Sequence, residues 1–471
     1  MFKAILTAVL LGSAARTQAQ WVALSANNSP IAPNHAVKCI QAVTPALAWG
    51  LATPLGGGNK ANAFCRTNDP SGTNLLFNSL GSAPGYSAFG IYALDASTAY
   101  VAQNNSDFGL GEIIRTTNGG NSWQKVTTAA QFAGGFCNWV YMFDANEGVA
   151  FGDPNGGSFE VLRTSNGGNT WTRLPAANLP APLNAYEYGV STFFGLGNTV
   201  WAGTARTTGN GNQPVRIFKS TDRGHTWTAA FTPLPGAVHG IAFKDSLNGL
   251  ASSIMPTGAT VGSNFLARTT DGGLTWQAIT PLNSPTGCFY LHGLDAVPGG
   301  NGYLSIGPRL ITMNTITDFG FSFSSDGITW RDIQRGLTTA NVFMGPEIDA
   351  ISPTVVYGAG RYSTTTNEGV FKWGSGFALS NQLAAKEPQL QVYPNPSTDG
   401  LFRLGGWVWA GHDAALTVTD ALGRQVAALL LRGTSAPDAT ASLDLRKLPA
   451  GVYLLRVSTV TGSATQKLVI Q

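Results

Sequence analysis

Five copies of one short motif punctuate the middle of this 471-residue chain, and their spacing limits what it can fold into. They read TTNGGNSW from Thr116, TSNGGNTW from Thr164, STDRGHTW from Ser220, TTDGGLTW from Thr269 and the shortened SSDGITW from Ser324. Their closing tryptophans, Trp123, Trp171, Trp227, Trp276 and Trp330, lie 48, 56, 49 and 54 residues apart. That period is too long for a solenoid coil and fits one four-stranded blade of a β-propeller.

Each motif reads as a hairpin turn. The Asn or Asp at its third position (Asn118, Asn166, Asp222, Asp271, Asp326) accepts backbone N–H bonds across the turn, glycine takes the left-handed position, and Ser/Thr hydroxyls tie the strands together. The tryptophan is expected to cover the gap to the next sheet. The motif resembles the Asp-box, or bacterial neuraminidase repeat, of sialidases, sortilin-type receptors, xyloglucan hydrolases and photosystem II assembly factors. In those families it is a structural signature away from the active face, so the resemblance implies a propeller and no particular chemistry.

A second repeat, an apolar strand, a short turn and another apolar strand, precedes each box. It begins at Ile40, Ile91, Val140, Thr192, Ile241, Leu294 and Ile348. Its last apolar or aromatic position (Trp49, Tyr100, Val149, Trp201, Leu250, Tyr303, Tyr357) recurs at 51, 49, 52, 49, 53 and 54 residues, which predicts seven blades. Blade 1 has only a degraded box, Arg66 to Leu76, and blade 7 ends at Trp373 without a fourth strand. Trp21 to Leu24 carries the outer-strand pattern Trp-x-x-apolar, so the N-terminal strand is expected to close the ring on blade 7 and leave no open edge.

Ahead of Trp21, Lys3, the apolar run Ala4 to Leu11 and the small-residue site Thr17-Gln18-Ala19 read as a signal peptide over residues 1–19. No segment has the length of a membrane-spanning helix. Loss of Lys3 and Arg16 would take the formal charge from +3 to +1, which argues against a nucleic-acid partner. With 58 glycines and 11% charged residues, the chain reads as all-β. Cys39 and Cys65 fall on the first and third strands of blade 1, about two strand spacings apart, beyond disulfide reach; free buried thiols are expected.

After Trp373 the register changes. Residues 376–388 read as a linker, with the propeller at 20–375 and a small immunoglobulin-like β-sandwich at 389–471. Tyr393-Pro394-Asn395-Pro396, Asp420 with Gly423-Arg424, Leu448 to Tyr453 including Gly451, and Lys467-Leu468 follow one another in this module. In that order they closely resemble the type A C-terminal sorting domain of the type IX secretion system of Gram-negative bacteria. The resemblance implies export across both membranes, an interaction with the secretion machinery, removal of the sorting domain, and release or attachment at the outer surface.

The propeller is then the payload, and its ligand is sought where the inner strands begin and the B–C loops emerge. Aligning the blades places Lys38, Phe89, Asn138, Val190, His239 and His292 at one inner position. The B–C loops add Asp107, Asp153, Arg206, Arg309, Asp318 and Arg361, and the loop before blade 4 adds Tyr186, Glu187 and Tyr188. Three readings follow. Arg206, Arg309 and Arg361 could clamp a carboxylate as in sialidases, although the Arg-Ile-Pro motif is missing from blade 1. Asp107, Asp153, Asp318 and Glu347 could supply the two facing carboxyls of a glycoside hydrolase. The third reading is a monomeric module that binds an extracellular glycan or protein without chemistry. No cofactor is implied, and His239 with His292 lacks the third ligand that a metal requires.

Overall fold

The computed structural model describes residues 21–24, 35–54, 61–68, 74–82, 85–105, 109–183, 186–206, 214–253, 266–280, 288–290, 293–299, 302–312, 315–335, 347–352, 354–359, 370–373, 391–405, 413–420, 424–431, 441–459 and 462–471. The chain divides into two compact units, Met1–Phe377 and Ala378–Gln471. Both are built from antiparallel sheets, and no helix among the described residues is long and apolar enough to cross a membrane.

Among its described residues the first unit holds seven four-stranded sheets. Their innermost strands are His35–Thr44, Tyr86–Ala93, Cys137–Met142, Glu187–Leu196, Val238–Phe243, Gly293–Val297 and Glu347–Ser352. Each touches the next, and the seventh touches the first, so they ring a central channel. Six sheets are consecutive in sequence. The seventh takes its outer strand from the N-terminus: Trp21 pairs with Trp373, Val22 with Lys372 and Ala23 with Phe371. Trp21 meets the rings of Trp373 and of Phe321 in blade 6 edge-on at 5.4 and 5.1 Å.

Apolar clusters fill the clefts between blades. The boxes build the outer part of these clefts. In the blade 3 box, Thr164 Oγ1 accepts the Gly168 N–H at 2.9 Å, and Asn166 Oδ1 accepts the Thr170 N–H at 3.0 Å. The same pair of bonds recurs at Thr116/Asn118, Ser220/Asp222, Thr269/Asp271 and Ser324/Asp326. The glycine is left-handed because the turn demands it: Gly120 has φ 85°, and a Cβ there would lie 2.0 Å from Cζ of Phe64 in blade 1. The residue before this glycine is left-handed too; in blade 4, where Gly224 keeps φ 79°, that residue is Arg223 at φ 58°, held by ion pairs to Asp144 and Glu147.

This close approach reverses one expectation. The box tryptophan covers the gap to the preceding sheet, not the following one. Trp171 packs with Tyr100 and Ile113 of blade 2, and Trp227 lies 5.6 Å from Phe151 of blade 3. The turn leans back because its bare glycine admits the neighbour's middle-strand side chain, which then bonds to it: Tyr100 OH donates to Gly167 O at 2.8 Å and Trp201 Nε1 to Gly272 O at 3.0 Å. Trp171, Trp227, Trp276 and Trp330 are buried and Trp123 half-buried. All four cysteines are free thiols; Cys39 is half-buried and the others buried.

The second unit is a sandwich of a three-stranded and a four-stranded antiparallel sheet. Phe402, Leu404 and Leu443 from one sheet and Leu416, Val418, Leu455, Val457 and Leu468 from the other share its core. The Tyr393 to Pro396 segment seals one sheet edge. Asn395 Nδ2 donates to Lys467 O at 2.6 Å, its Oδ1 accepts the Val469 N–H at 3.0 Å, and Ser397 N–H donates to Val469 O at 2.9 Å. Tyr453 OH ties its own strand to Pro449 O at 2.8 Å, and Gly451 opens that strand. Asp420 pairs with Arg424 at 2.8 Å; Gly423 lies outside the described residues.

Candidate functional site

In an antiparallel blade the start of the inner strand and the end of the second strand lie at one end of the ring, and the boxes, joining third and fourth strands, lie at the other. At the first end the inner strands share an irregularity. Register slips by one residue at Lys38, Phe89, Asn138 and His239, and by two around Val190. A bulge leaves a residue without a pairing partner and re-aims its side chain. This is the physical basis for the inner position at which the aligned blades place these residues. Lys38 Nζ sits 5.1 Å over the Phe89 ring, and Thr192 Oγ1 donates to His239 O at 3.0 Å.

Two recesses lie at this end. The first is the central channel, a cavity of about 380 Å³ lined by Cys39, Gln41, Phe89, His239 and three carboxylates, Asp295, Glu347 and Asp349. Asp349 Oδ2 accepts the Ala42 N–H of blade 1 at 2.7 Å, and Asp295 Oδ2 accepts the Ala350 N–H of blade 7 at 2.7 Å. Gln41 makes the equivalent bond to Ala93 N–H of blade 2 at 2.5 Å. Desolvation inside the channel pushes all three carboxyls up, Asp349 to about 7; the Asp349 charge adds to the effect on Asp295, and Glu347 adds to that on Asp349. Glu347 keeps solvent-exposed surface within the channel, so its penalty is that of confinement rather than full burial. Burial lowers Lys38, opposed by the Cys39 and Glu347 charges. Opposite the carboxylates the wall is aromatic, with Tyr92 5.0 Å from Tyr141 and Tyr141 5.7 Å from Phe193.

The second recess, about 570 Å³, lies across blades 2 to 4 and is lined by Phe136, Asp153, Pro154, Pro182, Glu187, Tyr188 and four glycines. Asp153 Oδ1 accepts from Asn138 Nδ2 at 2.8 Å and Gly189 N–H at 3.0 Å. Burial raises Asp153 against these bonds. Tyr188 is raised by burial and then by the Asp153 charge. Glu187 is spent: Arg216 Nε and Nη2 bind its two oxygens at 2.8 and 2.6 Å, and the Leu183 N–H adds a third bond at 2.7 Å. Phe89 and Phe136 lie 6.2 Å apart and link the two recesses.

Of the residues singled out in the sequence, Asn138, Asp153 and Tyr188 meet in the second recess, while His239 lines the channel and Lys38 stands beside it over Phe89. Several expected on loops lie on strands. Asp153 and Arg206 belong to second strands, Glu187 and Tyr188 to an inner strand, and Arg309 faces Asp318 in the register of the blade 6 hairpin. Ladder pairing continues past the points where apolar alternation stops, which displaced the sequence boundaries. Arg206 Nε is buried without a hydrogen-bond partner among the described residues. Asp107, His292 and Arg361 lie outside the described residues, as do the side chains of Arg309 and Asp318. Sequence reasoning missed Phe136, Arg216, Asp295 and Asp349. The last two occupy the same place in the repeats LDAV and IDAI, a signal that was available.

Residues 391–471 match the secretion system C-terminal sorting domain family. No curated protein matches this chain. Among solved structures, the chain is similar to PorZ, an essential bacterial surface component of the type-IX secretion system of Porphyromonas gingivalis, at 15% identity over 91% of this chain and 58% of that one, TM-score 0.42. It is also similar to Trypanosoma rangeli sialidase, at 10% identity over 96% and 86% of the chains, TM-score 0.44. The β-propeller domain of the trilobed protease from Pyrococcus furiosus matches at 12% identity over 72% and 95%, TM-score 0.43. The chain thus spans 58% of the length of PorZ. The sorting domain makes this a propeller protein of type IX secretion, secreted or attached to the outer surface of the outer membrane.

Proposed function

We propose that the propeller is an extracellular binding module that holds its ligand at the bulged end of the ring and performs no chemistry on it. One observation carries this reading: of the five described carboxylates that line the two recesses, all but Glu347 have an oxygen engaged in holding the fold. Asp295 and Asp349 accept backbone N–H groups from neighbouring blades, Asp153 accepts Asn138 and Gly189, and Glu187 is bound by Arg216. A hydrolase needs one carboxyl free to give a proton and a second free to attack or activate water across the same bond. Asp153 has the raised affinity of an acid, but Glu187, which shares its recess, has no oxygen to spare. With both oxygens held by Arg216, Glu187 does not serve as base to Tyr188.

The reading is tested by incubating the full-length protein with immobilised glycans and with outer-surface protein extracts, following retention and released products together. Retention without release is expected. Release that disappears in Asp153→Asn would replace binding by hydrolysis.

A further inference from the structure

Building on that reading, we infer that the recess across blades 2 to 4 takes an uncharged oligosaccharide, its ring faces against Phe136 and Tyr188 and its chain extending over Phe89 toward the channel. Three features of the recess specify the class. Its described lining contains no Lys, Arg or His, so an acidic sugar would meet no counter-charge and would face the Asp153 carboxyl. The other acid of the described lining, Glu187, already carries a bidentate guanidinium, so a basic peptide finds no free anion of full strength there. What remains is aromatic and proline surface beside exposed backbone at Gly134, where a Cβ would lie 3.0 Å from Asn155 Oδ1. Flat apolar faces next to exposed peptide groups suit a ligand that is apolar on its ring faces and hydroxylated around its rim.

Asp153 completes the match. Its Oδ1 is fixed by Asn138 and Gly189, which orients the carboxyl at the wall of the recess. Phe89, 37% exposed on its bulge and 6.2 Å from Phe136, supplies a further platform outside the recess. A ligand longer than the recess gains this contact and a shorter one does not.

The test uses the purified full chain and a panel of immobilised neutral oligosaccharides (gluco-, xylo-, manno- and galacto-) beside polygalacturonate, sialylated and sulfated glycans. Neutral members are expected to be retained, with Tyr188→Ala and Phe136→Ala weakening binding about tenfold or more and Tyr188→Phe changing it by less than about twofold. Phe89→Ala is expected to weaken long oligosaccharides and leave disaccharides unaffected, a length dependence that misfolding would not produce. Retention of acidic glycans alone, of protein alone, or of neutral glycans indifferent to all three alanine variants overturns the inference and leaves the binding reading standing. Retention followed by cleavage overturns the binding reading and leaves the ligand class. No retention of any probe removes both.

Discussion

Blade 3 is held to blade 2 by its box: Tyr100 OH donates to Gly167 O at 2.8 Å, Arg115 Nη1 to Asn169 Oδ1 at 2.6 Å, and Trp171 fills the cleft. Blade 1 is held to blade 7 without one. There Asp349 accepts the Ala42 N–H, Tyr357 OH donates to Pro45 O at 3.0 Å, and the outer strand of the pair is the three-residue Trp21–Ala23. Both kinds of cleft have an apolar filling; the boxed ones add aromatic rings and local turn bonds, and the seam adds a carboxylate reaching across the channel wall. One ring thus contains two chemistries of blade adhesion with opposite responses to pH.

The largest effect expected is in a boxed cleft. Trp201 is fully buried, stacks 3.7 Å from Phe243 and donates to Gly272 O, so Trp201→Ala should cost about 3–5 kcal/mol in denaturant unfolding. Trp21→Ala in the unboxed closing blade removes a half-buried ring that packs on Trp373 and on Phe321 of blade 6, and should cost about 1–2 kcal/mol. A loss there equal to the boxed one would erase the contrast.

Next comes the box glycine. Gly120→Ala places a methyl group 2.0 Å from the Phe64 ring at φ 85°, for an expected loss of about 1–3 kcal/mol. Gly156, left-handed at φ 66° but with open space around it, provides the control: Gly156→Ala carries only the backbone strain and should cost less.

The pH dependence sharpens the comparison further. Asp349, Asp295 and Glu347 are raised in the folded ring, so their stabilisation is fully present below the ordinary carboxylate range and is lost as pH rises through the folded value, about 7 for Asp349. Asp271 is the opposite case. Bonds from the Thr275 hydroxyl and N–H hold it well below the usual range, so its contribution is present above that range and is lost only in strong acid. Amide exchange at Ala42 and Ala350 should therefore speed up between pH 5 and 8 beyond its intrinsic increase, while Thr275 stays protected. Asp349→Asn should remove most of the Ala42 excess; an unchanged slope would mean that these carboxylates do not govern the seam. The smallest effect expected is Thr164→Ala, which deletes the hydroxyl that accepts the Gly168 N–H, for about 1 kcal/mol.

Much of the ring was legible because its repeats are local. Tryptophan spacing sets the blade, the Asn/Asp and glycine of each box set one turn, and Trp21 announces an outer strand without an inner one. The lean of the boxes was not legible, because it depends on the fit of Gly120 against Phe64 and Gly168 against Tyr100, residues distant in sequence. The site was less readable still. Asn138, Asp153 and Tyr188 were picked out singly, but whether Glu187 is a catalytic acid or a structural anion depends on Arg216, 29 residues away, and no motif links the two. Phe136 carried no signal beyond being an aromatic between glycines and a cysteine.

The central claim is that the bulged end of the propeller binds and does not cleave. Calorimetric titration of the full-length protein with neutral oligosaccharides, with reducing ends assayed in the same cell, tests it most directly. Saturable heat that is lost in Tyr188→Ala, with no new reducing ends, is expected. Reducing ends that accumulate with time and vanish in Asp153→Asn would contradict it.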